Sequence, residues 1–131
     1  MTRGFQWAVL ILSGLVALGV FLQVYFIASY FFGAGTDALD LHKDMGGIVH
    51  LVEVLVFLAA LVGFWKKWTD VGWAFALALI GTVQLAFSDG DDWVGGFHGV
   101  LALVVLILAA VVSHRTMRAL GIGRRDASGA L

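Results

Sequence analysis

Two histidines lie in apolar stretches of the sequence, where ionisable side chains are costly. His50 precedes the basic residue Lys66 by sixteen positions. His98 precedes Arg115 by seventeen. At a helical rise of 1.5 Å per residue, both imidazoles lie about 24 to 26 Å from those charges, in one layer. Neutral imidazole nitrogens on two helices that run in the same direction can ligate one haem b through both axial positions, and we expect His50 and His98 to be that pair.

Further polar side chains lie near this histidine layer. Glu53 comes one helical turn after His50, so it shares that face and could accept the proton of the second ring nitrogen. Gln84 lies fourteen residues from Asp70, about 21 Å along a helix, which places it near the same layer. Like Gln23, it could equally form hydrogen bonds between helices. A proton on Glu53 could instead exchange with a cationic substrate, which gives a proton-linked small transporter as an alternative function.

Acidic residues cluster on the same side as the histidine layer. Their carboxylates could hold a divalent cation together with an imidazole, and equally they could form only a solvated acidic face. The candidate metal ligands are Asp40, His42, Asp44, Asp91 and Asp92. The sequence contains no Walker loop, no dinucleotide fingerprint and no His-Glu-x-x-His zinc motif. With no catalytic constellation visible, we do not expect the chain to be an enzyme by itself.

The composition is that of a membrane protein. Of the 131 residues, 61% are hydrophobic and 13% are charged, whereas soluble domains have roughly 45–50% and about 25%. Because cysteine is absent, Fe–S clusters and thiolate zinc sites are excluded. Apolar segments of at least ~17 residues predict four transmembrane helices. Their expected ranges are 5–32, 44–65, 70–88 and 94–115, followed by a disordered cytoplasmic tail over 121–131.

The distribution of charge predicts the orientation. If the helices alternate in direction, seven of the eight basic residues fall on one side and only Lys43 lies on the other. The positive-inside rule then places both termini in the cytoplasm and the chain in the cytoplasmic (inner) membrane, as a multi-pass protein. With no proline and short connections, we expect an all-α, up-and-down four-helix bundle. Its expected partners are the lipid bilayer and a second copy or another membrane protein, and not nucleic acid.

The second half of the sequence resembles the first. In each half a glutamine precedes an acidic loop, and glycine and histidine open the next helix, as MGGIVH at 45–50 and GGFHG at 95–99. This repetition predicts two tandem helical hairpins. Gly95 and Gly99 are four residues apart, a spacing that predicts close packing against a neighbouring helix. Alternatively, glycine beside a histidine would leave room for the ring of a haem.

The segments 41–46 (LHKDMG) and 97–99 (FHG), which open the second and fourth helices, resemble a pattern in small four-helix, actinobacterial-like membrane families of unknown function. More distantly, they are similar to helix starts in membrane cytochromes b and haem A synthase-type bundles. The second resemblance implies haem ligation by His98 and by either His42 or His50. The motif favours His42 and the depth count favours His50, which we place first. The predicted function is a single-haem b-type electron-transfer or assembly subunit, and a ligand-free structural partner of another membrane protein is a further alternative.

Overall fold

Four long helices make up most of the chain in the computed structural model, which describes residues 2–88, 90 and 92–123, without the side chain of residue 92. The helices are α1 (Thr2–Phe31), α2 (Thr36–Gly63), α3 (Trp68–Ala86) and α4 (Asp92–Leu120). All four are long and apolar enough to cross a bilayer, which needs about 20 residues. The predicted all-α, four-helix membrane fold is confirmed. The protein is a small, multi-pass integral membrane protein.

The helices occupy the corners of a square. α1 and α3 each pack on both α2 and α4, whereas the backbones of the diagonal pairs, α1 with α3 and α2 with α4, do not approach one another within the described residues. Since the connections are short, consecutive helices are antiparallel. α2 and α4 therefore run in the same direction and lie on opposite sides of the centre of the bundle.

Small side chains form the core, and large apolar side chains cover the outside. Phe21, Leu51, Phe75 and Leu103 are among many large hydrophobic residues that are about half exposed or more. A soluble monomer rarely exposes so much apolar surface, but lipid tails accept it. The buried residues that let the helices approach include Val9, Val16, Val56, Ala60, Ala74, Val105 and Ala109.

The two ends of the bundle differ in charge. We call the end with the α1–α2 connection the acidic end, because the first turns of α2 carry Asp37, Asp40 and Asp44. We call the opposite end the basic end, and it carries Arg3, Lys66, Lys67 and Arg115. There the Arg115 Nε donates a hydrogen bond of 2.7 Å to Asp70 Oδ1, which joins α4 to α3.

Glycine ends both α1 and α4. Gly33 and Gly121 have φ angles of 91° and 81°. A residue with a side chain would adopt this backbone conformation only with strain. After Gly33, the Ala34 N–H donates to the Ser29 carbonyl at 3.0 Å. After Gly121, the Ile122 N–H donates to the Met117 carbonyl, also five residues back, at 2.9 Å. These contacts are Schellman motifs, which satisfy the last carbonyls of a helix.

Two helix boundaries differ from the expected ones. α2 begins at Thr36 rather than near 44, and α4 ends at Leu120 rather than near 115. Hydropathy marks where apolar residues stop, but a helix continues through polar residues when its ends leave the bilayer core. The longer α2 places His42 on a helix instead of in a loop. Of the predicted tail, residues 124–131 lie outside the described residues.

The predicted close packing at Gly95 and Gly99 is wrong. A β-carbon at Gly99 would meet open space, and one at Gly95 would meet only the nearby Gly90 backbone. The close approach of α1 to α2 occurs instead at Gly19, where a β-carbon would collide with Val49. The four-residue spacing identifies a smooth helix face, but it does not say whether that face meets a neighbour.

Candidate functional site

A cavity of about 670 Å³ lies between all four helices in the half of the bundle nearer the acidic end. Cavities of roughly 300–1,000 Å³ are typical of sites for small molecules and cofactors. Apolar residues and glycines form most of the wall. The polar residues that line it are Gln23, His42, Lys43, His50, Glu53, Gln84, Ser88 and His98. The structure thus brings together all of the intramembrane polar residues that the sequence indicated.

His42 and His98 meet inside this cavity from the diagonal helices α2 and α4. Each lies six residues after the first residue of its helix, Thr36 or Asp92. The centroids of their rings are 6.1 Å apart, and the ring planes are inclined at 76°. Two imidazoles from opposite corners of the bundle therefore occupy one layer.

A backbone carbonyl holds each of these rings. The His42 Nδ1 lies 3.0 Å from the Gln23 carbonyl oxygen of α1, and the His98 Nδ1 lies 3.1 Å from the Gln84 carbonyl oxygen of α3. Because a carbonyl only accepts hydrogen bonds, both Nδ1 atoms must donate, and a neutral ring then keeps a free lone pair on Nε2. Histidines that ligate metals commonly have this tautomer, with the other nitrogen donating to a carbonyl. The same contact is made in both helical hairpins.

His50 makes a different contact. Its Nδ1 lies 3.0 Å from Oε2 of Glu53, whose residue surface is only 2% exposed. The carboxyl group packs against the backbone of α3 at Gly81, where a β-carbon would overlap it. Gly81 therefore makes room for a buried carboxyl group between α2 and α3. This pair lies about 12 Å along α2 from His42, towards the basic end.

The expected partner of His98 was His50, and the structure instead places the ring of His42 against that of His98. The depth count failed because Lys66 and Arg115, from which it was made, lie at different distances from the ends of α2 and α4. α2 ends three residues before Lys66, whereas α4 continues five residues beyond Arg115. Counted from the C-terminal ends of α2 and α4, His42 lies 21 residues away and His98 lies 22. The resemblance of 41–46 to helix starts had favoured His42.

The two glutamines contribute their main chains to this site. The carbonyl of Gln84 is near the end of α3, where it also accepts the Phe87 N–H at 3.1 Å. The side-chain Nε2 of Gln23 lies against Gly46, where a β-carbon would be 3.0 Å away. The Oε1 of Gln23 is buried without a hydrogen-bond partner in the described part of the chain. A free acceptor thus remains in the wall of the cavity.

The carboxylates of the acidic end do not assemble around an ion in the part of the chain that the structure describes. Among those residues, no three His, Asp or Glu side chains form a group that could hold a metal ion. Asp40 and Asp44 are exposed on α2. Asp91 and the side chain of Asp92 lie outside the described residues, so the cation site that includes them stays a prediction.

Comparisons of the chain with protein-family models, with curated proteins and with solved structures give no match. The resemblance to membrane cytochromes therefore stays a prediction. A function has to be argued from the geometry of the cavity.

Proposed function

We propose that this membrane protein binds one haem b in the cavity and acts as a small electron-transfer or assembly subunit. Nε2 of His42 and Nε2 of His98 would hold its iron. The observation that carries the proposal is the separation of the two rings. With metal–imidazole bonds of about 2.0–2.1 Å and roughly 1.1 Å from each nitrogen to its ring centre, two rings on opposite sides of one metal have centroids about 6.3 Å apart. The two centroids in the structure are 6.1 Å apart.

The donor set suits a macrocycle better than a bare ion. Zinc sites take three or four protein ligands, and the described residues offer no group of three. A porphyrin supplies four nitrogens itself and leaves two axial positions, which two imidazoles can fill. An apolar space between facing helices is also where helix bundles hold cofactors.

The bound haem would supply one-electron redox chemistry, and the chain supplies orientation and electrostatics. The carbonyls of Gln23 and Gln84 keep the proton on Nδ1, which orients each ring and raises the basicity of Nε2. Lys43 also lines the cavity, so its ammonium group can pair with the carboxylates of the haem. This role gives a reason for a lysine among the aspartates of the acidic end.

The orientation of the chain is part of the proposal. The basic residues support a cytoplasmic basic end in the inner membrane, by the positive-inside rule. The cavity would then lie in the outer leaflet, and both termini would be cytoplasmic.

Absorption spectroscopy of the full chain, purified from haem-replete cells, tests haem binding. We expect a Soret band and an α-band that respond to dithionite. His42→Ala and His98→Ala should each lower the bound haem by more than about tenfold, because each removes an axial ligand. His50→Ala is the matched control and should keep the pigment. A colourless, folded wild-type protein would contradict the proposal, and so would pigment that depends on His50 but not on His42.

A second candidate function is a proton-linked small transporter, which the burial of Glu53 in the wall of a sizeable cavity favours. In that case the purified protein would be colourless, and a cationic substrate would release protons from it. Glu53→Gln should abolish this release. A protein that has no pigment and releases no protons would favour the remaining alternative, a ligand-free structural partner of another membrane protein.

A further inference from the structure

We propose that Glu53 and His50 form a proton-binding site that responds to the redox state of the group held by His42 and His98. This inference rests on the proposed function, because it needs a redox group in the cavity. It assigns a role to the buried carboxyl group, which haem ligation does not use.

The carboxyl group of this pair is held away from bulk water, and the imidazole is partly buried. Glu53 is buried, its carboxylate is 3.0 Å from the His50 Nδ1, and Gly81 leaves the space that it occupies. An ionised carboxylate alone at this depth would be costly. With one proton, the pair is neutral overall, whether it is carboxylate with imidazolium or carboxylic acid with imidazole. With two protons, it carries one positive charge.

The other ionisable side chains on the described cavity wall have roles in the proposed haem site. α2 contributes His42 and Lys43 besides this pair, and α4 contributes His98. Both of those histidines donate Nδ1–H to carbonyls and offer Nε2 to the haem. Lys43 lies next to His42 with an exposed side chain. The remaining polar residues on the wall are the non-titrating Gln23 of α1, Gln84 of α3 and Ser88 of the α3–α4 connection.

Charge balance supplies the coupling. If a haem is bound, its reduction by a one-electron donor would add one negative charge to the cavity, and one proton from the solvent would bind the neutral His50–Glu53 pair and make it cationic. The total charge of the cavity is unchanged. Over about 12 Å, and with an effective dielectric constant of ~20, the added electron raises the proton affinity of the pair about tenfold.

Redox titration of the haem-loaded full chain at a series of pH values tests the coupling. In the wild type, the midpoint potential of the haem should fall as pH rises. The fall should span about one pH unit, the interval in which the His50–Glu53 pair takes up its second proton only when the haem is reduced. Glu53→Gln and His50→Gln should flatten this dependence while they keep the absorption spectrum. The matched control is Asp70→Asn, which removes a carboxylate at the basic end and should leave the pH dependence unchanged.

Redox-difference infrared spectroscopy gives a second readout. Reduction of the wild type should change a carboxyl C=O band that is missing in Glu53→Gln. If that variant fails to fold, a pH indicator can still report proton uptake by the wild type on reduction. Haem-loaded protein with no proton uptake, or with equal pH dependence in the wild type and both variants, would overturn this inference alone. Absence of haem would overturn both this inference and the proposed function.

Discussion

At the scale of single residues, Gly81 decides whether a carboxyl group can be buried between α2 and α3. The carboxylate of Glu53 occupies the space that a side chain at Gly81 would need. The sequence gives no direct sign that this glycine faces an acid. The signal that could have identified it is the need of an intramembrane acid for a small residue on the facing helix.

We expect Gly81→Ala to destabilise the protein by about 1–3 kcal/mol, because its methyl group forces the carboxylate of Glu53 out of place. Gly99→Ala is the matched control, since its methyl group would meet open space, and it should change stability by less than about 0.5 kcal/mol. Equilibrium unfolding in mixed detergent micelles with added dodecyl sulfate measures both. Equal stability of the two variants would show that α3 does not approach Glu53 so closely.

At the scale of elements, the beginning of α2 determines which histidine reaches the centre of the bundle. The residues from Thr36 to Lys43 carry charge, so hydropathy leaves them outside the predicted span. In the structure they form two helical turns, and these turns present His42 to the cavity. Helix ends are harder to predict than helix centres because polar residues near a membrane surface are compatible with either helix or loop.

Proline substitutions test this boundary. Asp44→Pro should make α2 begin at 44, because proline removes a helical hydrogen bond and disfavours the helical conformation of Lys43. His42 would then leave the cavity, and we expect the bound haem to fall more than about tenfold, as in a ligand variant. Thr36→Pro should keep the pigment, since proline is tolerated at the first helical position.

Absorption spectra and amide hydrogen exchange over residues 36–43 provide the measurement. Asp44→Ala separates the loss of charge from the loss of helix and should resemble the wild type. Retained pigment in Asp44→Pro, together with rapid exchange over 36–43, would mean that the first two turns of α2 are not needed for the site.

At the scale of the whole molecule, the orientation follows from charge and can be tested with introduced cysteines. Because the chain has no cysteine, each single substitution provides a unique reporter. Ala34→Cys lies in the connection at the acidic end, and Lys67→Cys lies in a connection at the basic end. We expect a membrane-impermeant maleimide to label Ala34→Cys in intact cells and Lys67→Cys only after the membrane is opened. The reverse pattern would place the cavity on the cytoplasmic side.

The sequence by itself determined that the chain crosses a membrane four times, because each bilayer crossing requires a long apolar helix and only four segments qualify. It also indicated which polar residues share the interior, since such groups avoid lipid. The contact of His50 with Glu53, one turn later on the same helix, was also predictable from their spacing. Only the tertiary structure decided that His42 meets His98. A shift of one residue rotates a helical side chain by about 100° and moves it 1.5 Å. Which residue on another helix a side chain meets therefore depends on the relative register of the two helices. Packing and the positions of the helix ends set this register, and it cannot be read from hydropathy.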